Sequence, residues 1–288
     1  MRIADLYRQK RPVFSFEFFP PKTEKGVASL FEAIRELAKL EPDYVSVTCP
    51  LEKPRRPLTF ELVARIQREI GITAMAHLVT VLYSRDEVRE VLDGLRDAGI
   101  ENVLALRGDL PDGADPSAPR DFPYGSDLAR FVSNFDFSIG GAAHPEMHPD
   151  SSDWEGDIVG AKAKVEAGCE FLVTQLFFDN ADYFAYVDRA RAAGIEVPIV
   201  AGIMPVTSVA GIRRMAAMNG NRLPDALSAE LDRVDGDAEA VAAVGVEYAT
   251  LQCEELLAHD VPGIHFFTLN RSPATRKILT ALREKGVA

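Results

Sequence analysis

Two hydrophobic patterns alternate along the chain. Short runs rich in Val, Ile and Phe recur over its whole length, and each is followed by a longer segment whose apolar positions return at helical spacing. The short runs at residues 13–19, 44–48, 73–79, 102–107, 137–142, 171–177, 198–203 and 264–269 predict strands. Amphipathic segments between them, at residues 27–40, 60–69, 86–98, 158–167, 181–193 and 209–218, predict helices. Gly99, Gly168 and Gly194 stand where helix C-terminal glycines belong, each just before a new strand.

Eight strand-then-helix units without a linker predict a (β/α)8 TIM barrel, a single domain over residues 1–288. A doubly wound sheet is the other arrangement this alternation allows. The seventh crossover, from Thr207 to about Pro262, is long, and its Pro224, Gly236 and acidic 232–237 stretch predict at least two helices within it.

Composition narrows the function classes. Lys and Arg number 32 against 44 Asp and Glu, a net charge of −12 with a pI near 5.0, so no basic field meets a phosphate backbone and nucleic acid is not an expected partner. Apolar residues make up 47% and charged residues 26%, at a mean hydropathy of −0.04, as in a chain that buries a full core. The first ten residues hold no apolar signal region, and no apolar run approaches about 18 residues, so a cytoplasmic location away from membranes is expected. Cys49, Cys169 and Cys253 are widely spaced with no C-x-x-C pair, which argues against a disulfide framework and against a zinc site.

A barrel carries its active site at the C-terminal ends of its strands. Strand one contains Glu17 within Phe14-Ser15-Phe16-Glu17-Phe18-Phe19-Pro20-Pro21, strand two ends at Thr48, strand three at His77 and strand four at Arg107-Gly108-Asp109. Strand five runs into His144-Pro145-Glu146-Met147-His148-Pro149, strand six carries Gln175, and strand eight ends in Thr268-Leu269-Asn270-Arg271. Glu17, a carboxyl among phenylalanines, predicts desolvation and a raised pKa, as a neutral-pH general acid needs; the alternative is a carboxylate paired with a buried Arg. Arg107-Gly108-Asp109 leaves a buried strand with a glycine that lets a ligand approach, or is a surface turn with Pro111 and Gly113 beyond it. His144 and His148 have i, i+4 spacing, but Pro145 and Pro149 argue against a helix, leaving ligand contact or helix capping. Asp157 and Lys164, seven apart, share a helix face that is either functional or merely solvated. The chain contains no G-x-G-x-x-G, no G-x-x-x-x-G-K-[ST] and no G-x-S-x-G.

The segments Phe14–Lys22, Ala105–Asp109, Ala142–Pro149, Thr174–Phe178, Gly202–Val206 and Phe266–Arg271, in order and over nearly the whole chain, together resemble the bacterial 5,10-methylenetetrahydrofolate reductase family. The resemblance implies a (β/α)8 flavoprotein in which NADH or NADPH reduces FAD and methylenetetrahydrofolate then accepts hydride, with methyltetrahydrofolate as product. It implies Glu17 as the general acid that assists ring opening, Asp109 as the carboxylate beside flavin and pterin, and Gln175 as shared by pterin and nicotinamide. Thr48, His77, Arg107, Gly108, His148, Asp157 and Lys164 match flavin-contacting positions, Tyr124 and Gly125 match more loosely, and Arg271 matches a folate contact. A homo-oligomer without the regulatory domain of the animal enzymes is the expected assembly.

The sequence departs from the family in places. Cys49-Pro50-Leu51 follows Thr48 where a Tyr-Gly-Ala turn is usual, and Lys53-Pro54-Arg55-Arg56-Pro57 lies beyond it. His144 replaces a flavin-contacting Tyr, Gly160 an Asn of some members, and Met215 an aromatic residue beside nicotinamide. Three functions therefore stay open: a flavin-dependent reductase, a folate reductase with direct hydride transfer from nicotinamide, and a non-catalytic folate- or flavin-binding barrel in which Glu17 is structural.

Overall fold

The computed structural model describes residues 1–110, 113, 115, 118 and 120–288. Strands β1 (Val13–Phe18), β2 (Tyr44–Val47), β3 (Ala74–Val79), β4 (Asn102–Leu106), β5 (Ser138–Ala143), β6 (Phe171–Thr174), β7 (Ile199–Ile203) and β8 (Gly263–Phe267) pair in sequence order, all parallel. β8 closes the barrel on β1, with Ser15 opposite His265 and Glu17 opposite Phe267. The helices are α1 (Ile3–Gln9), α2 (Glu24–Ala38), α3 (Arg56–Ile70), α4 (Arg85–Asp97), α5 (Gly125–Val132), α6 (Trp154–Glu166), α7 (Asn180–Ala192), α8 (Val209–Asn219), α9 (Asp225–Val234), α10 (Ala238–Ala258) and α11 (Pro273–Glu284). None of the described helices is long and apolar enough to cross a membrane.

Every strand expected from the pattern is present, and the doubly wound alternative is excluded by closure. The bounds differ where apolar continuity misleads. The run expected as strand six over residues 171–177 stops pairing at Thr174, because Leu176, Phe177 and Phe178 are buried beyond the sheet, the first and last beneath α8 and α9. His77, expected at the end of strand three, lies inside β3 and faces the barrel interior. Of the expected turn after β4, Gly113 has φ +77° while Pro111 lies outside the described residues.

Strand alternation decides what each side chain meets. Phe14, Phe16 and Phe18 point outward into the layer shared with Leu30, Phe31 and Ile34 of α2 and with Ile278 and Leu279 of α11. Ser15 and Glu17 point inward. The interior near the N-terminal ends is filled by Val13, Tyr44, Met75, Leu104, Phe171, Val173 and Val200. Helix α1, too short to show a helical period, plugs that end: Asn102 Oδ1 accepts from the Ile3 amide at 2.8 Å and Ser138 Oγ from the Ala4 amide at 3.2 Å.

The seventh crossover holds α8, α9 and α10 and forms one wall of the opposite, open end. Helix α10 comes in so close that a Cβ on Gly245 would lie 1.9 Å from the Val206 carbonyl oxygen, on the segment leaving β7. Replacing Gly245 with Ala must push α10 off the barrel, a strain costing about 1–3 kcal/mol. A Cβ added to Gly94, within α4, would have nothing within 4 Å, so Gly94→Ala is expected to stabilise by about 0.5–1 kcal/mol through helix propensity. Thermal unfolding of the two variants checks this packing: the midpoint should fall for Gly245→Ala and rise slightly for Gly94→Ala. Equal midpoints would contradict the close approach.

Candidate active site

At the floor of the open end, one carboxylate meets two imidazoles. Glu17 Oε2 lies 3.3 Å from His265 Nε2 and 3.3 Å from His77 Nε2. His265, fully buried, is held from behind by Ser15, whose Oγ is 2.7 Å from Nδ1. Tyr44, opposite Ser15 on β2, stacks on the His265 ring at 6.2 Å and shares a hydrogen bond of 3.0 Å with the Tyr7 hydroxyl of α1. His77 is 5% exposed, and its Nε2 lacks hydrogen-bond geometry to Glu17 and has no other partner among the described residues. Ser46 Oγ, on the residue paired with Glu17 in β2, is likewise buried without a partner.

This arrangement overturns the expectation of a raised Glu17 pKa. Burial does push the carboxyl upward, but the His77 and His265 imidazoles outweigh it and hold the pKa down at about 2. Phe16 and Phe18, which flank Glu17 in sequence, turn their side chains to the opposite face of β1, into the helix layer, while Phe19, beyond the strand, borders the cavity with it. The alternative of a buried Arg partner is also excluded, because the partners are histidines.

The residues after β2 to β5 form one side of the mouth. Thr48 is half-buried; its carbonyl accepts from Thr59 Oγ1 at 2.8 Å. The unusual segment beyond it is fastened by Arg56, fully buried, which donates from Nε to the Pro50 carbonyl at 3.1 Å and from its terminal nitrogen to the Leu51 carbonyl at 2.7 Å, with the guanidinium 4.4 Å from the Tyr83 ring centre. Gly108 has φ +84°, and a Cβ there would meet Val79 Cγ1 at 2.3 Å and Leu51 Cδ2 at 3.5 Å. Arg107 pairs with Asp150 at 2.6 Å, and Asp109 is exposed on the rim. Tyr124, 66% exposed, and Gly125 open α5, with Asp127 accepting from the Tyr124 amide at 2.9 Å.

Beyond β5 the two histidine rings meet edge to face at 4.5 Å, on a loop as their prolines predict. Burial, with the Lys164 cation nearby, pushes His144 down to about 3, so its ring is neutral; burial also lowers His148. Asp157 and Lys164 share a face of α6, and that face turns inward instead of forming a solvated stripe. Asp157 Oδ1 accepts from the His148 amide at 3.0 Å and from Ser151 Oγ at 2.9 Å, and Lys164 Nζ donates to the Ala142 carbonyl at 2.7 Å.

The other side of the mouth is hollow. A cavity of about 220 Å³ is lined by Glu17, Gln175, Met204, Met215, Phe267 and Thr268 among others. A second, of about 250 Å³, shares Phe267, Thr268 and Leu269 with it and continues to Arg271 and Lys277. Gln175 lies one residue past β6, its Oε1 accepting from the Leu176 amide at 2.9 Å. The structure thus brings Glu17, His77 and Gln175 to one floor and sets Arg271 at the far end of the adjoining cavity. Sequence reasoning missed His265, Met204, Phe267 and Lys277. His265 had a readable signal, since with strands one and eight paired it alternates with Phe267 as Ser15 does with Glu17, and Met204 and Phe267 lie within segments that carry the family resemblance.

Comparisons with known proteins bear on the fold and the family. The fold is shared with an uncharacterized protein from Clostridium thermocellum that binds two copies of 5-methyl-5,6,7,8-tetrahydrofolic acid, at a TM-score of 0.68 and 17% identity over 99% of both chains. A 5,10-methylenetetrahydrofolate reductase of Pectobacterium carotovorum subsp. carotovorum is 35% identical over 282 residues, covering 97% of this chain and 92% of that one. The Arabidopsis thaliana methylenetetrahydrofolate reductase (NADH) 1 is 36% identical over 295 residues, and this chain spans 50% of its length. The methylenetetrahydrofolate reductase family model matches residues 2–283, and the chain belongs to that family.

Proposed function

We propose that this protein reduces 5,10-methylenetetrahydrofolate to 5-methyltetrahydrofolate with a nicotinamide nucleotide as hydride donor and FAD as carrier. The observation that carries the reading is Glu17, a carboxylate between two imidazoles at the floor of a cavity whose wall continues to Arg271. Kinship with bacterial reductases at 35% identity supports it.

The mouth fits a flavin. His77 Nε2 and Ser46 Oγ are buried polar atoms without hydrogen-bond partners among the described residues, the kind of group that a ligand satisfies at a gain of about 1–3 kcal/mol each. Thr48, His77, Arg107, Gly108, Asp109, Tyr124, Gly125, His144, His148, Asp157 and Lys164 would hold it. Bound there, FAD supplies a hydride carrier that amino-acid side chains lack. Arg107 and Lys164 answer the diphosphate charge, Arg107 by leaving the exposed Asp150. Asp157 keeps the loop of His148 in place, and the neutral His144 presents a hydrogen-bonding group without a charge.

On the hollow side, Gln175 orients the flat ring of pterin or nicotinamide, and Arg271 with Lys277 meets the anionic tail of the folate. Asp109 places a negative charge on the rim, which favours a cationic folate. Glu17 delivers the proton to the ring nitrogen that leaves as the five-membered ring opens. Direct hydride transfer from nicotinamide without flavin is the second reading; one feature favours it, the Leu51 side chain beside Gly108, on a segment whose carbonyls Arg56 fastens.

A flavin titration followed by visible spectroscopy decides between the two. Arg107→Ala should weaken FAD binding by about one to two decades, the loss of a charge-assisted contact. An unchanged dissociation constant would remove Arg107 from the site, and nicotinamide-driven folate reduction by flavin-free protein would establish the second reading.

Glu17→Gln keeps the shape and removes the transferable proton. Reoxidation by methylenetetrahydrofolate in stopped flow should slow by about 10²–10⁴-fold, while reduction by NADH, which needs no acid, changes far less. Equal slowing of both halves would mean that Glu17 is structural.

A further inference from the structure

Glu17 must carry a proton to act as an acid, yet its surroundings hold it ionised at rest. The proton has to be stored beside it. Two imidazoles are within reach, and their settings differ. His77 stands 3.3 Å away without hydrogen-bond geometry and with nothing to fix its Nε2, which suits a ligand contact. His265 is hydrogen-bonded to Glu17 through Nε2, anchored through Nδ1 by Ser15, and fully buried, so it exchanges protons only by way of its two partners.

We propose that His265 is the proton reservoir for Glu17, its imidazolium passing the Nε2 proton to Glu17 Oε2 when folate covers the mouth. The proposal rests on the reductase reading above. On this proposal, water reaching the partly exposed carboxylate in the free protein supports a Glu17 carboxylate and a His265 imidazolium 3.3 Å apart. A flat ring seated over Glu17 removes that water, and desolvation favours the neutral pair.

The transfer balances. One proton leaves Nε2, whose electron pair stays on the ring, and binds Oε2. It then moves to the folate nitrogen as the carbon–nitrogen bond opens, and the bonding pair goes to that nitrogen. Glu17 ends ionised and His265 neutral, and His265 is recharged by solvent through Glu17 once product leaves.

Ser15 completes the proposed path. With its hydroxyl accepting from Nδ1–H, the neutral ring is bare at Nε2, the atom facing Glu17. Behind Ser15, burial pushes the Tyr44 hydroxyl up to about 12 and Tyr7 well above its ordinary value, so these phenols stay protonated and anchor the chain without conducting through it. The remaining groups around His265 carry no competing charge: Gly202 is its partner on β7, Ser46 and Tyr44 belong to β2, and the Phe267 ring stands edge-on at 5.5 Å. Asp43, near Tyr44, is paired with Lys10 at 2.8 Å. His265 is thus a positioning and proton-storing residue that acts through Glu17.

Nitrogen NMR of histidine-labelled protein, with the pH profile of folate reduction, tests this. His265 should carry protons on both nitrogens at neutral pH in the free protein and lose the Nε2 proton when methyltetrahydrofolate binds, keeping Nδ1–H. In Glu17→Gln the free protein should already show a neutral His265. His265→Gln should slow folate reduction by about 10²–10⁴-fold and abolish the basic limb of its pH profile, with a far smaller effect on NADH oxidation by an artificial quinone. Ser15→Ala should cost about tenfold with the limb retained but shifted.

A neutral His265 in the free wild-type protein, or a wild-type profile in His265→Gln, would overturn the proposal. Should His265→Gln fail to fold, the wild-type spectra and Ser15→Ala decide alone. Absence of folate reduction by the wild-type protein would instead sink the reductase reading, which the quinone assay and the spectra distinguish from failure of the reservoir.

Discussion

The open end of the barrel is organised around the contact between Glu17 and the imidazoles of His77 and His265. A carboxylate at the bottom of a protein pocket is costly unless charge or hydrogen bonds compensate it, and here the compensating imidazoles come from the strands on either side of β1 and β2. The contact needs closure of the barrel, because β8 brings His265 to Glu17 only after pairing with β1. It also needs Ser15 and Glu17 on one face, which the two-residue period of β1 enforces. A slip of one residue in that register would send Phe16 into the mouth and Glu17 into the helix layer.

The two sides of the mouth follow from this floor. Toward β6, β7 and β8, the three helices of the seventh crossover leave room above Phe267 and Met204 for a flat ring. Toward β2 to β5, the side chains are already engaged with one another: Arg107 with Asp150, Asp157 with the His148 amide, Lys164 with Ala142, and Arg56 with the carbonyls of Pro50 and Leu51. Ordered loops of this kind place ligand contacts at little entropic cost on binding. On the function proposed above, the engaged side would hold flavin and the hollow side folate, with Glu17 between them.

Much of this is legible in the sequence. Strand periodicity reports the eight units, and clustering of polar residues at strand ends points to Glu17, Thr48, Arg107, Asp109 and Gln175 from the chain alone. What is not legible is hidden for physical reasons. Apolar runs report burial and not pairing, so 171–177 looks like one strand although Leu176 to Phe178 pack off the sheet. Flanking residues in a strand face the other way, so Phe16 and Phe18 give a false account of the surroundings of Glu17. Arg56 stands in the sequence only as part of a departure from the family, and its full burial shows first in the structure. His265 can be placed beside Glu17 only from a pairing between strands some 250 residues apart.

Two imidazoles, and not an apolar pocket, set the charge of Glu17. Isotope-edited infrared spectroscopy of ligand-free protein labelled at glutamate, compared with Glu17→Gln across a descending pH series, measures that charge directly. The Glu17 carboxyl is expected to remain ionised from neutral pH through its ordinary value of 4.5 and to gain its proton only near 2. A Glu17 carboxyl already protonated at neutral pH in the free protein would contradict this.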